Sequence, residues 1–174
     1  NPSIPLSSDN VTISSGHTVY TTATITRNAA TYVNGAFEIQ NGGWATGTTN
    51  FSYNTVSGFL NFNTTGNYNV SNTDIFWPAS TGRPNHVSVL QGGITMASNA
   101  YRSIATSFTI ANGGIIGVTL ITNPTLIING ICRINAGGFF NTGASPIFGA
   151  SSTLIYNTGG TYGRGLEWSA LGVG

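Results

Sequence analysis

Apolar and polar positions alternate in twos along this chain, in runs that never grow long. Val11-Thr12-Ile13 stops at Ser14-Ser15-Gly16, Val19 to Ile25 alternates through threonine, and Ala36-Phe37-Glu38-Ile39 stops at Asn41-Gly42-Gly43. The same texture returns at Phe59-Leu60-Asn61-Phe62, Val87-Ser88-Val89, Phe108-Thr109-Ile110, Thr125 to Ile128, Ile131 to Ile134 and Thr153 to Tyr156. A period of two predicts short β-strands. No window places apolar residues at helical spacing over three turns, and strong helix formers are scarce, so the pattern predicts an all-β protein.

The strand pattern is duplicated. The run from Val33 to Trp44 reappears 95 positions later from Ile128 to Phe139, and Leu60 to Tyr68 returns 94 positions later as Leu154 to Tyr162. Glycine pairs punctuate it at Gly42-Gly43, Gly92-Gly93, Gly113-Gly114, Gly137-Gly138 and Gly159-Gly160, mostly after asparagine or another small polar residue. Glycine supplies positive φ where the backbone bends, and asparagine tolerates it better than most residues. Recurrent corners of this kind predict a parallel β-helix, or β-solenoid, with coils of about 20 residues. The alternative is an antiparallel β-sandwich, in which Asn34-Gly35 and Asn129-Gly130 would be two-residue hairpin turns. Rare charges, short strands and frequent glycine corners favour the solenoid. Residues 1–10, with Pro2 and Pro5, read as an N-terminal cap or linker, and 11–174 as a single solenoid domain, a fragment of a longer repetitive protein.

Composition narrows the function classes. Only 5% of the 174 residues are charged, against roughly a quarter in an ordinary domain, and lysine is absent. The surface must be built from amides and hydroxyls. Five scattered arginines give a net charge of +1 and no basic patch, which argues against nucleic acid as partner. No apolar run is long enough to cross a bilayer as a helix. With two histidines, one cysteine and four acids, none at ligand spacing, neither a metal nor another cofactor is expected. Cys132, between Ile131 and Ile134, reads as a small buried hydrophobe.

The segments Ile128 to Phe140 and Ser152 to Tyr162 resemble the repetitive stalks of large secreted surface proteins of Bacteroidota, cargo of type IX secretion. That resemblance implies a β-solenoid with an adhesive or structural role, at the cell surface or outside the cell. The expected function is therefore a structural or adhesive segment of a surface protein or fibre, acting by self-association or multivalent contact, with no enzymatic activity.

A glycan-binding or polysaccharide-degrading module is the alternative. Trp44, Trp77 and Trp168 lie beside polar turns, where a flat ring flanked by amides suits a sugar face. Corner packing competes with that reading, since Trp44 matches Phe139 across the duplication. Hydrolysis would need two nearby carboxylates, and the pairs to test are Asp74 with Glu38 and Glu167 with Asp74. His17 and His86 read as exposed turn residues rather than members of a triad. Glu38 and Arg133 occupy matched positions, about 23 Å apart if coils of about 20 residues stack at about 4.8 Å, so they could pair only between copies.

Overall fold

The computed structural model describes residues 5–110, 118–121, 126–140, 146–163, 165 and 167, with 118–121 described by their backbone. The described residues wind through seven coils. The first holds β1 (Val11–Ile13), β2 (Thr18–Thr21) and β3 (Thr24–Arg27), and the second β4 (Thr31–Val33), β5 (Ala36–Gln40) and β6 (Trp44–Gly47). The third holds β7 (Phe51–Tyr53) and the long β8 (Phe59–Val70), and the fourth is built on β9 (His86–Met96). Then come β10 (Arg102–Ile104), β11 (Ser107–Ile110) and β12 (Val118–Ile121); β13 (Leu126–Ile128), β14 (Ile131–Asn135) and β15 (Gly138–Phe140); and β16 (Ile147–Phe148) with β17 (Thr153–Asn157).

Every strand pairing among the described residues is parallel. The fold is a β-solenoid, and the antiparallel sandwich is excluded. Asn34-Gly35 and Asn129-Gly130 are not hairpins; each turns the chain from one face of the solenoid to the next, between β4 and β5 or between β13 and β14. The second face runs unbroken through all seven coils, in the order β2-β5-β8-β9-β11-β14-β17. The first is interrupted between β7 and β10, where Ser71 to Asn85 crosses it without forming a strand. That crossing segment answers β7 directly: Phe51 N–H donates to the Ile75 carbonyl and Tyr53 N–H to that of Gly82.

Parallel register stacks like on like. Phe37, Leu60, Val87, Phe108 and Cys132 share one inward row, and Ile39, Phe62, Val89, Ile110 and Ile134 the next, all essentially buried. Alternation of large and β-branched side chains at fixed rungs builds one continuous core. Cys132 is part of it, as its sequence context predicts.

The matched repeats sit four coils apart, since Ala36, Phe59, His86, Ser107 and Ile131 occupy one rung position. Ninety-five residues over four steps average about 24 per coil between the repeats, although β1 to β4 and β4 to β7 each take the expected 20. Glu38 and Arg133 are therefore separated by about 19 Å at about 4.8 Å per step, closer than the sequence estimate and still too far to pair.

The glycine pairs divide two tasks. Gly42 and Gly137, first in their pairs, have φ of 75° and 87°, the left-handed region that glycine adopts without penalty. Their second members, Gly43 and Gly138, are needed for space, because a Cβ on Gly43 would lie 1.8 Å from the Thr21 carbonyl oxygen and one on Gly138 2.7 Å from that of Ile110. Corner asparagines also bridge coils. The side-chain oxygens of Asn10, Asn28 and Asn41 accept the backbone N–H of Ala30, Thr48 and Thr65, each one coil further on.

Candidate functional site

At the corner after β5 the chain turns through Asn41-Gly42-Gly43 and enters β6 with Trp44 outward and Ala45 inward. In parallel register Trp44 lies beside Thr24, and its indole N–H donates to the Thr24 hydroxyl. One coil on, β8 loses register with β9 between Phe62 and Asn67, so the third-coil corner is displaced from regular stacking. A groove of about 280 Å³ remains, lined by Gln40, Asn41, Trp44, Gly66, Asn67 and Tyr68 among others.

The polar groups of this groove are held in place. Asn41 accepts the Thr65 N–H at 2.7 Å, and the amides of Gln40 and Asn63 donate to one oxygen of Glu38 at 2.7 and 3.0 Å. Tyr68 donates to Asp74 at 3.3 Å, and its ring packs against Phe62 and Phe76. Trp44 is 48% exposed. A half-exposed indole among fixed amides can stack on a flat, hydroxylated ligand.

The other tryptophans differ. Trp77 is fully buried, with its ring 5.7 Å from that of Phe62 and its indole nitrogen without a hydrogen-bond partner among the described residues. It has no face open to a ligand. Trp168 lies outside the described residues.

The acids are engaged separately. Glu38 holds Gln40 and Asn63 on the outer surface of the second face. Asp74 accepts from Tyr68 and from the Ser71 N–H at 2.9 Å; burial pushes its carboxyl up, against that hydrogen bond and the nearby Arg102 charge. Arg102 donates to the Ser71 carbonyl at 2.5 Å, so charge and hydrogen bonds together clip the crossing segment onto the core. Glu167, fully buried, accepts from Tyr156 at 3.0 Å and from the Gly165 N–H at 2.9 Å. Neither acid pair singled out by sequence shares a bonding partner among the described residues, and no group of three potential metal ligands occurs there. His17 is exposed at its corner. His86 is not a turn residue: it opens β9, half-buried, with Nδ1 2.8 Å from the Ser107 hydroxyl. Ser107 was not legible as its neighbour, because only the register of β9 on β11 brings them together.

Burial raises several phenols. Tyr53 is pushed well above the ordinary value, Tyr68 is raised by burial and then by Asp74, and Tyr162 is pushed up to about 12 by burial and then by Glu167. A folded pKa above the unfolded one means stability that is complete below the unfolded value, near pH 10, and lost as pH rises toward the folded values. Denaturant melts should therefore show constant stability from these groups up to about pH 9.5 and a progressive loss above it. Phenolate absorbance from all seven tyrosines in a still-folded protein at pH 11 would contradict this.

No family model, curated protein or solved structure matches this chain.

Proposed function

We propose that this solenoid is a structural or adhesive segment of an extracellular surface protein or fibre, of the stalk kind carried by type IX secretion, acting by self-association or multivalent contact. The observation that supports it is the second face, a ladder of parallel strands unbroken through seven coils under a nearly charge-free exterior. Backbone hydrogen bonds along the axis resist extension. Amide and hydroxyl side chains let a neighbouring surface approach without stripping water from fixed charges. No helix among the described residues is long and apolar enough to cross a membrane.

Among the described residues β2 is the terminal strand of the second face, with Val19 and Tyr20 46% and 63% exposed. Such an edge templates further strands. Sedimentation velocity across a hundredfold range of protein concentration should show growing species, and a single monomer throughout would refute self-association.

A second reading, a glycan contact, is favoured by the Trp44 groove. Its binding face combines one half-exposed indole with fixed amides and bears no unpaired carboxylate, which suits a neutral polysaccharide. Trp44→Ala should weaken retention on an immobilised neutral glycan by roughly tenfold, about 1.4 kcal/mol, while leaving the melting temperature within about 2 °C. Unchanged retention would remove this reading, and a large fall in melting temperature would assign Trp44 to packing.

A further inference from the structure

Along one outward row of the second face lie Ala36, Phe59, His86, Ser107, Ile131 and Thr153. The His86 ring stacks on Phe59, with centroids 4.6 Å apart and planes at 30°. Its Nδ1 stands 2.8 Å from Ser107 Oγ in the next coil. Burial lowers the pKa of the imidazole, against an opposing effect from the Val56 backbone, and so favours the neutral ring. In the neutral tautomer that carries its proton on Nε2, Nδ1 is the acceptor and the Ser107 hydroxyl donates to it. The result is a nucleophile with a base within reach, the base packed against the Phe59 ring.

We infer that Ser107 and His86 form a nucleophile–base dyad that takes an acyl group from a short-chain ester. Ser107 Oγ attacks the ester carbonyl carbon, its proton passes to His86 Nδ1, and the carbonyl π electrons move onto oxygen. Collapse of that intermediate breaks the bond to the alcohol, which leaves with the proton from Nδ1, and Ser107 keeps the acyl group as an ester. Water then repeats the sequence, releasing a carboxylic acid and restoring the hydroxyl. Phe59 and Ile131, 38% and 39% exposed on either side along the row, offer apolar ground to the acyl chain. The neighbouring outward row reads Asn61, Ser88 and Thr109, uncharged and hydroxyl- or amide-bearing, and suits a polyhydroxylated alcohol. The ionisable groups of that row are Tyr20, three coils from His86, and Glu38 and Arg133, each two coils from it, about 10 Å along the axis at about 4.8 Å per step. Among the described residues no carboxylate is hydrogen-bonded to His86 to stabilise an imidazolium, so a slow acylation burst is expected rather than rapid turnover. This chemistry adds to the stalk reading and departs from the expectation of no enzymatic activity.

The test is covalent labelling of the purified chain with a fluorophosphonate and with p-nitrophenyl acetate, read by intact mass and peptide mapping. A single adduct on Ser107 is expected, absent in Ser107→Ala, formed about a hundredfold more slowly in His86→Gln, and unchanged in Ser88→Ala on the adjacent row. The wild-type labelling rate should fall as pH drops through the histidine range, which no purely structural histidine would produce. No adduct, an adduct elsewhere, or a folded His86→Gln variant that labels at the wild-type rate would overturn the assignment. If His86→Gln does not fold, a wild-type rate independent of pH between about 5 and 8 would overturn it instead.

Discussion

Trp77→Ala is expected to lower the melting temperature by roughly 6–20 °C, from a cost of about 3–5 kcal/mol for emptying a large aromatic site and about 2–4 °C per kcal/mol in a chain of this size. Trp77 is fully buried, and its ring touches Phe62, which in turn meets Tyr68 and Phe76. These residues join the crossing segment to the inward row of β8, so the cavity would open where two differently built parts of the core meet. The companion variant Trp77→Phe should cost far less, under about 1.5 kcal/mol. Phenylalanine keeps most of the ring and deletes an indole N–H that has no partner among the described residues; leaving such a donor buried costs about 1–3 kcal/mol. Thermal melts by circular dichroism decide the matter. A Trp77→Ala protein that melts within about 2 °C of wild type would mean that this side chain is not part of the core.

Gly43→Ala carries the second large effect. The added carbon would sit 1.8 Å from a backbone oxygen of the previous coil, and a backbone oxygen cannot swing aside as the end of a flexible side chain can. The coils would have to part at that corner, stretching the β5 and β6 pairings with the first coil, at about 3 kcal/mol or more. Gly66→Ala supplies the control. Gly66 has nothing within 4 Å of its added carbon and no positive φ, so the change should stay within about 1 kcal/mol and could stabilise by restricting the unfolded chain. Equal destabilisation by the two substitutions in urea melts would refute the stacking argument. The contrast also separates the two glycine tasks: substitution at Gly42, where φ is 75° and the nearest atom to an added carbon is 3.1 Å away, should fall between them.

Much of the solenoid was legible because its physics is local. Alternation at Phe37 and Ile39, or at Cys132 and Ile134, marks which side chains face inward whatever lies above or below them. The glycine corners were visible for the same reason, although only half of their purpose was. Positive φ at Gly42 is a property of one residue, whereas the need for Gly43 comes from Thr21, a full coil earlier. The candidate site was less legible. Trp44 and Trp77 stand in similar polar text, yet one is half exposed and the other is fully buried. The difference arises because Ser71 to Asn85 folds across the first face instead of adding a strand to it, and no periodicity announces such a crossing. His86 and Ser107 are separated in the chain and meet only through register, so neither carried a signal of the other.

The chain by itself determined the repeating β architecture, its corners and its uncharged exterior, because strand alternation, glycine and the scarcity of charge act residue by residue. Tertiary structure alone decided how many residues each coil takes, which tryptophan reaches solvent, and which polar side chains become neighbours. In a parallel stack those outcomes depend on the offset between successive coils, and that offset is set by the combined length and packing of every loop along the way.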